Sequence, residues 1–396
     1  KKKYNSLKAE ITKKYGQEAN DYILQLIRDL NGGARRDAAA TILSEELGGD
    51  VTYEYAVKKL TTNGANSQWA IIAKSIEKPV ADKIIERADE ENLGDLIFRD
   101  LDTKRYYPQG ELAAAVIGFT NYDGDGIYGV ESYYNDYLKG VDGKIISATD
   151  ANGNEMPYKN DKIYDAQDGN SVYLTLDMTL QYYVEKYLEQ QVEAHDVDNR
   201  ACAIMMNVNT GAILAMASTP GYDLNDRNSI FSEKDLAILA GITDEEEYNE
   251  TYATLREQQW KNKAITELYY PGSVFKVITG SAALEERVIS LASTFTCGRE
   301  IIVADTTMHC WSSYSHGTQD FTTAMTNSCN PAFIQIGQLL GKDKFYEYFK
   351  AYGFTEPTGI DLPGESGSIY VNTSEKGPVE LASSSFGQTN KITPIQ

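Results

Sequence analysis

Histidine and cysteine, the side chains that most often hold transition metals, are scarce in this sequence. The chain of 396 residues contains three histidines and only four cysteines, Cys202, Cys297, Cys310 and Cys329. No two of these form a Cys-x-x-Cys pair, so the spacing argues against a zinc site, and we expect no metal and no cofactor. The adjacent His309 and Cys310 could form a metal site or a cysteine–histidine nucleophile, but we prefer to interpret them as ordinary buried or hairpin residues.

Long apolar runs and an excess of basic residues are also missing. No run of about 18 apolar residues occurs, so the sequence contains no membrane span and no signal peptide. A formal charge of -21 argues against a nucleic-acid partner, because a polyanion would be repelled. With 42% hydrophobic residues the chain can bury more than one core, which predicts two domains. It opens on three lysines without a methionine, so we expect a segment upstream.

The first chemical signal is Ser273, followed three residues later by Lys276. Both lie in the stretch 269–276 (YYPGSVFK), where a Pro-Gly turn precedes an apolar, helix-forming run. On a helix this spacing puts hydroxyl and amine on one face. A lysine whose pKa is lowered by burial and by the positive end of a helix can take the proton of a serine. The pattern indicates a nucleophile with its base, and the alternative is a helix-start serine beside a solvated lysine.

A second element, Ser328-Cys329-Asn330, decides between these interpretations. Ser-x-Asn following Ser-x-x-Lys belongs to the motif set of penicillin-binding proteins and serine β-lactamases. The match extends to His316-Gly317, to 386–388 (FGQ) and to 393–396 (TPIQ). Together these residues resemble the transpeptidase domain of a class B penicillin-binding protein.

The resemblance implies acyl transfer through a serine ester. Ser273 would attack the carbonyl between two D-alanines of a peptidoglycan stem peptide with Lys276 as base, and an amine of a second stem peptide would resolve the acyl-enzyme. In this family Ser328 relays protons between the lysine and the leaving nitrogen, and Asn330 hydrogen-bonds the lysine and the substrate amide. The further candidate substrate-binding residues are Gly387 and Gln388.

The third family motif, Lys-Thr/Ser-Gly on an edge strand, does not occur in the sequence. In relatives that strand supplies one of two backbone donors to the oxyanion hole, and the nucleophile supplies the other. We expect the motif to follow Gln396 in the encoded protein, so that the transpeptidase domain of this chain is truncated.

The first part of the chain predicts a non-catalytic pedestal, residues 1–165 including a linker. Helical spacing is found at 23–30, at 38–43 and at 80–87. The segments 105–108, 117–119 and 129–131 resemble the pedestal of class B proteins, and nothing resembles the polymerising domain of class A proteins. For three charged residues we predict a buried ion-pair network that pins the pedestal to the catalytic domain: Arg99, Arg105 and Glu131.

We predict that residues 166–396 form the transpeptidase domain. Overall we expect an α+β fold, in which an elongated helical and mixed pedestal precedes an antiparallel sheet flanked by helices, similar to serine β-lactamases. Alternation and helical spacing predict the following elements: a strand at 171–177, a helix at 178–192, a hairpin of 203–208 and 212–217, a loop or helix start at 243–248, strands at 300–304 and 306–309, and a helix that follows His316-Gly317 and ends at Ser328.

Other functions remain open at this point. A β-lactamase or D,D-carboxypeptidase would use the same acylation and pass the acyl group to water, and an inactive scaffold or β-lactam sensor would not turn over. The resemblance implies stem peptides ending in D-Ala-D-Ala, β-lactams and other cell-wall synthesis proteins as partners, the last through the pedestal. It also implies a single N-terminal membrane anchor, outside this chain, with the catalytic domain on the extracytoplasmic side. Cys297 and Cys310 either form a disulfide across a hairpin or remain reduced, buried thiols.

Overall fold

A computed structural model describes residues 33–62, 70–74, 76–99, 104–146, 162–197, 200–372 and 377–396. It divides the chain into two compact units, Lys1–Lys104 and Arg105–Gln396. Helices combine with antiparallel strand pairs, which confirms the α+β class. The domain boundary expected at residues 165 and 166 lies inside the larger unit, and it stays a prediction.

The smaller unit is helical in its described part. Its three helices are α1 (residues 33–47), α2 (Tyr53–Thr62) and α3 (Lys78–Glu90). Ile42 and Leu43 on α1 pack with Ile84 on α3 in one apolar core. The helices predicted at 38–43 and 80–87 are therefore confirmed, whereas the stripe at 23–30 lies outside the described residues.

The larger unit contains the remaining elements. Within its described residues the strands pair in four antiparallel ladders, β1 with β2, β3 with β4, β5 with β8 and β6 with β7. The bounds, in chain order, are α4 (Ala114–Ile117), α5 (Gly129–Tyr133), α6 (Asn135–Leu138), β1 (Lys144–Ile146), β2 (Lys162–Tyr164), α7 (Met178–Ala194), β3 (Ala201–Met206), β4 (Ile213–Thr219), α8 (Glu233–Ala240), α9 (Glu245–Trp260), α10 (Lys263–Thr266), α11 (Lys276–Glu285), β5 (Thr294–Cys297), β6 (Glu300–Val303), β7 (Thr306–His309), β8 (Gly317–Asp320), α12 (Phe321–Thr326), α13 (Asn330–Leu340), α14 (Lys342–Ala351) and α15 (Pro378–Ser384).

The pedestal-like motifs at 117–119 and 129–131 meet through their glycines. A Cβ on Gly118 would lie 1.9 Å from the Tyr128 carbonyl oxygen, and one on Gly129 would lie 2.3 Å from the Val116 carbonyl oxygen. Both glycines also have positive φ, 71° and 59°. The two backbone segments cross at a distance that a side chain would prevent, which explains why both motifs need glycine.

The predicted ion-pair network is only partly correct: Arg105 and Glu131 form a pair, but both lie before residue 166, so this pair does not pin the pedestal to the transpeptidase domain. Arg105 Nε lies 2.6 Å from Glu131 Oε1, and the Glu131 carboxylate is buried. Arg99 does not join them, because its guanidinium pairs with the exposed Asp82 of the smaller unit. Asp82 lies on α3, and the fold brings this helix close to Arg99. The sequence motifs around Arg99 do not indicate this contact.

Helix α7 packs on the β3–β4 hairpin, and both elements were predicted. The Asp177 carboxylate caps α7 by accepting from the Thr179 and Leu180 amides, each at 2.9 Å. Buried Gln181 joins helix to hairpin, since its Oε1 accepts from the Met216 amide at 2.8 Å and its Nε2 donates to the Met216 carbonyl at 2.9 Å.

The strand predicted at 171–177 is wrong, because the segment has no regular ladder. It runs beside β4, but the Thr175 side chain donates to the Ile213 carbonyl, at 2.6 Å, where a strand would use its backbone. The Asp177 amide then donates to the Leu214 carbonyl. Because the Thr175 hydroxyl, and not a backbone amide, donates to the Ile213 carbonyl, the segment keeps the alternating pattern of a strand but forms no regular backbone ladder with β4.

The elements around the second motif follow the prediction with one insertion. Strands β6 and β7 confirm the strands expected at 300–304 and 306–309, and α9 begins inside the segment 243–248. Between His316 and the predicted helix the chain first forms β8, which pairs with β5. Helix α12 ends at Thr326 and not at Ser328, because Ser328 has a φ of 46°, which a right-handed helix cannot continue.

Candidate active site

Ser273 and Lys276 lie at the start of the central helix of the larger unit. Residues Gly272–Phe275 form a 3-10 turn that continues directly into α11. This places Lys276 Nζ 3.1 Å from Ser273 Oγ. Phe275, between them in sequence, points the other way and packs against Phe345, Phe349 and Phe354. One face of the turn is therefore anchored in an aromatic core, and the opposite face carries the serine and the lysine.

The second motif reaches Lys276 from the loop between α12 and α13. Lys276 Nζ is 2.7 Å from the Ser328 carbonyl oxygen, 3.0 Å from Ser328 Oγ and 2.7 Å from Asn330 Oδ1. Asn330 Nδ2 donates to the His309 carbonyl at 3.1 Å, which orients the amide so that its oxygen faces the lysine. The structure thus brings together four of the predicted site residues, Ser273, Lys276, Ser328 and Asn330.

Burial makes Lys276 easier to deprotonate than an exposed lysine. The side chain is 1% exposed, and burial lowers the pKa of Lys276 to about 8. A neutral amine has two N–H groups and one lone pair. The Ser328 carbonyl and Asn330 Oδ1 can only accept, so they take the two N–H groups. The lone pair is then left for a hydroxyl, and Ser273 and Ser328 both present one.

Gly387 lies directly against the turn that carries the serine. The Gly272 amide donates to the Gly387 carbonyl at 2.9 Å, and a Cβ on Gly387 would lie 2.1 Å from the Gly272 oxygen. Gly387 also has a φ of 83°. Two further bonds, between Tyr269 and Ile392, hold the following segment beside the entry to the turn. Gln388 is exposed and its amide donates to the Ser383 carbonyl, so the structure shows no contact from it to the serine or lysine.

A group of cysteines behind the second motif was not predicted. Cys297, Cys310, Cys329 and His316 place one ligand atom each within 4.8 Å of one another. The structure contains Cys297 and Cys310 as buried, unbridged residues, and the choice between a disulfide and reduced thiols stays a prediction. His309 does not pair with Cys310, because its ring is exposed and lies 3.8 Å from Glu300. Sequence spacing could not find this group, since its members come from three segments that are distant in the sequence.

Comparison with known proteins agrees with this geometry. The family model described as the penicillin binding protein transpeptidase domain matches residues 201–396, and the penicillin-binding protein dimerisation domain matches residues 3–174. The chain belongs to the class B penicillin-binding proteins. The family that the sequence motifs suggested is therefore confirmed, and the two-part organisation fits the class.

Two curated relatives and one solved structure illustrate the extent of the similarity. Stage V sporulation protein D of Bacillus subtilis is 36% identical over 328 residues, which are 81% of this chain and 47% of that protein. Peptidoglycan D,D-transpeptidase FtsI of Escherichia coli is 27% identical over 301 residues, 74% of this chain and 45% of that protein. Penicillin-binding protein 3 of Mycobacterium tuberculosis, solved with ampicillin, is 25% identical with a TM-score of 0.58, covering 74% of this chain and 55% of that one.

The chain spans about half the length of the curated relatives that it matches. Within the described residues, no helix combines the length and the apolar character that crossing a membrane requires.

Proposed function

We propose that this protein is a peptidoglycan D,D-transpeptidase that works through a Ser273 ester. The observation that carries the proposal is the convergence of Ser273, Ser328 and Asn330 on the amine of one buried lysine. Ser273 Oγ attacks the carbonyl carbon of the penultimate D-alanine while its proton passes to Lys276 Nζ. An ester bond forms, the peptide bond breaks, and the terminal D-alanine leaves with a proton delivered through Ser328.

The second half of the reaction reverses these roles. An amine of another stem peptide attacks the ester carbonyl and gives up a proton toward Lys276. The ester bond breaks, an amide cross-link forms, and Ser273 regains its proton. Ser328 suits the relay because both its carbonyl and its hydroxyl lie within hydrogen-bond distance of the amine.

The negative charge that develops on the substrate carbonyl needs backbone donors. The Ser273 amide suits this role, because amides in the first turn of a helix have no carbonyl partner within that helix. Gly387 supports the same site by fixing Gly272, the residue before the serine. We place Asn330, Gly387 and Gln388 along the substrate path, with Gln388 contributing from the exposed side of the segment.

The remaining assignments follow from the family. We propose that the substrates are stem peptides ending in D-Ala-D-Ala, that β-lactams acylate Ser273, and that the N-terminal part contacts other cell-wall synthesis proteins. We also propose an N-terminal membrane anchor and an extracytoplasmic catalytic domain. Ampicillin in the related mycobacterial structure supports the β-lactam assignment.

Mass spectrometry after exposure to penicillin tests the proposal. The protein encoded by the complete gene should gain one penicilloyl group on Ser273 that persists for hours, and Ser273→Ala should gain none. Ser281→Ala is the control, because Ser281 lies two turns along the same helix and bonds to Tyr352. Rapid loss of the adduct would instead indicate a hydrolase, and no adduct would indicate a scaffold.

A stable adduct alone does not separate a transpeptidase from a sensor. Incubation with stem peptides should therefore release D-alanine and form cross-linked dimers in equal amounts. A protein that is acylated but forms no dimers would contradict the proposed activity.

A further inference from the structure

The thiol group behind the second motif has the composition of a metal site. Cys297 ends β5, Cys310 follows β7, His316 precedes β8, and Cys329 precedes α13. Their three sulfur atoms and one ring nitrogen all lie within 4.8 Å of one another. Three segments, namely the end of β5, the β7–β8 loop and the loop before α13, thus bring their ligand atoms close together.

The distance between one sulfur and the ring nitrogen fits a tetrahedral ion. Zn–S bonds of about 2.3 Å and a Zn–N bond of about 2.0 Å at tetrahedral angles place sulfur and nitrogen about 3.5 Å apart, and two sulfurs about 3.8 Å apart. Cys310 Sγ and His316 Nδ1 are 3.6 Å apart. Three soft thiolates with one imidazole are a donor set that selects zinc among the common divalent ions.

The backbone around these ligands is itself held in place. The Cys310 amide donates to the Arg299 carbonyl at 2.7 Å, which fixes the start of the loop that leads to His316. Ser315 Oγ bonds to the Cys297 carbonyl and also accepts from the Gly317 amide. Ser315 thus ties the loop to the end of β5 before His316, and Gly317 pairs with Cys297 in the β5–β8 ladder after it. Cys297 and Cys329 are fully buried and Cys310 is 9% exposed, so the three sulfurs are shielded from solvent.

We propose that Cys297, Cys310, His316 and Cys329 bind one structural Zn²⁺. Binding replaces three S–H bonds by three Zn–S bonds and releases three protons, while the imidazole binds in its neutral form through Nδ1. All four positions of the ion are filled by protein, so the ion takes no substrate. The absence of a Cys-x-x-Cys pair does not count against the site, because the fold assembles it from three segments.

The proposed ion would hold the second motif in position. Cys329 stands between Ser328 and Asn330, and Cys310 follows His309, whose carbonyl orients the Asn330 amide. The ion would therefore link the strands β5, β7 and β8 to both partners of Lys276. The proposal concerns the metal alone and does not depend on the proposed transpeptidase activity.

Metal analysis of the protein tests the site directly. The complete protein, purified under reducing conditions without chelator, should contain about one zinc per chain by plasma mass spectrometry. Cys329→Ser and Cys310→Ser should lose the metal or bind it at least ~10-fold more weakly. Cys202→Ser is the matched control, because Cys202 lies outside the group, and it should keep the wild-type content.

Cobalt gives a second readout that does not depend on activity or on how well each variant folds. Replacement of zinc by Co²⁺ in the wild-type protein should produce the absorption of a tetrahedral ion with sulfur-to-cobalt charge transfer, and Cys202→Ser should match it. A folded, reduced wild-type protein that takes up neither ion would overturn the proposal. So would a Cys310→Ser variant with unchanged metal content, or a disulfide between any two of the three cysteines in the freshly purified protein.

Discussion

Substitution of Gly387 by alanine tests how closely the site depends on a backbone contact. The added Cβ would lie 2.1 Å from the Gly272 carbonyl oxygen, whereas real Cβ contacts essentially never fall below 3.0 Å. The gap must therefore open by about 1 Å (3.0 minus 2.1). The atom that has to move belongs to the residue immediately before Ser273, so the serine moves with it.

Two costs add up in this variant. A positive φ of 83° costs a residue with a side chain roughly 1–2 kcal/mol, and relief of the contact costs a further ~1–3 kcal/mol. Displacement of a reacting atom by about 1 Å can lower a rate ~100-fold. We expect Gly387→Ala to lower the free energy of unfolding by about 2–5 kcal/mol and the rate of acylation by roughly 100-fold.

Gly353→Ala provides the matched control, since Gly353 has a φ of 86° and nothing lies within 4 Å of its added Cβ. It should lose only the roughly 1–2 kcal/mol of backbone strain and keep the wild-type acylation rate. Thermal unfolding and the rate of labelling by a fluorescent penicillin measure the two quantities. Equal losses of stability in both variants, or normal labelling of a folded Gly387→Ala protein, would refute the argument that the contact positions the serine.

Three further predictions concern the charged residues. Lys276→Ala should slow acylation of Ser273 by ~100- to 10000-fold in a folded protein, because the serine loses its base; unchanged kinetics would exclude Lys276 from that role. Since burial lowers the pKa of Lys276 to about 8, and only the neutral amine accepts a proton, the wild-type acylation rate should rise with pH from 6 to 9 with a midpoint near that value. A rate independent of pH over this range would contradict the assignment of the neutral amine as base. Arg105→Ala should lower the free energy of unfolding by about 1–3 kcal/mol, because it leaves the buried Glu131 carboxylate without its partner. Arg99→Ala, in an exposed pair, should leave the melting temperature nearly unchanged, and equal effects of the two variants would show that burial of Glu131 is unimportant.

The sequence was sufficient for features that depend on local spacing. Ser273 and Lys276 are three residues apart at a helix start, so helical geometry alone brings them together. The β3–β4 hairpin and α7 likewise follow from alternation and periodicity within one segment. Ser328 and Asn330 required the family pattern, because nothing local indicates that they meet a lysine from another helix.

Features that depend on contacts between distant segments could not be predicted. The alternation of apolar and polar residues at 171–177 indicated a strand. Strand pairing, however, needs backbone donors and acceptors on both segments, and here the hydroxyl of Thr175 donates to the Ile213 carbonyl in place of a backbone amide. The close approach of Gly387 to Gly272 is a tertiary contact with no local signal. The group of three cysteines and His316 shows the same limit, because its three segments meet only in the folded chain.

The carboxamide of Gln181 has a consequence for how the hairpin meets other chains. It engages both the amide and the carbonyl of Met216 on the side of β4 that faces away from β3. These are the groups that an incoming strand would have to use, and an uncovered strand edge is a common starting point for aggregation. A single buried side chain therefore acts as a one-residue substitute for a neighbouring strand and blocks β-sheet extension at the middle of β4.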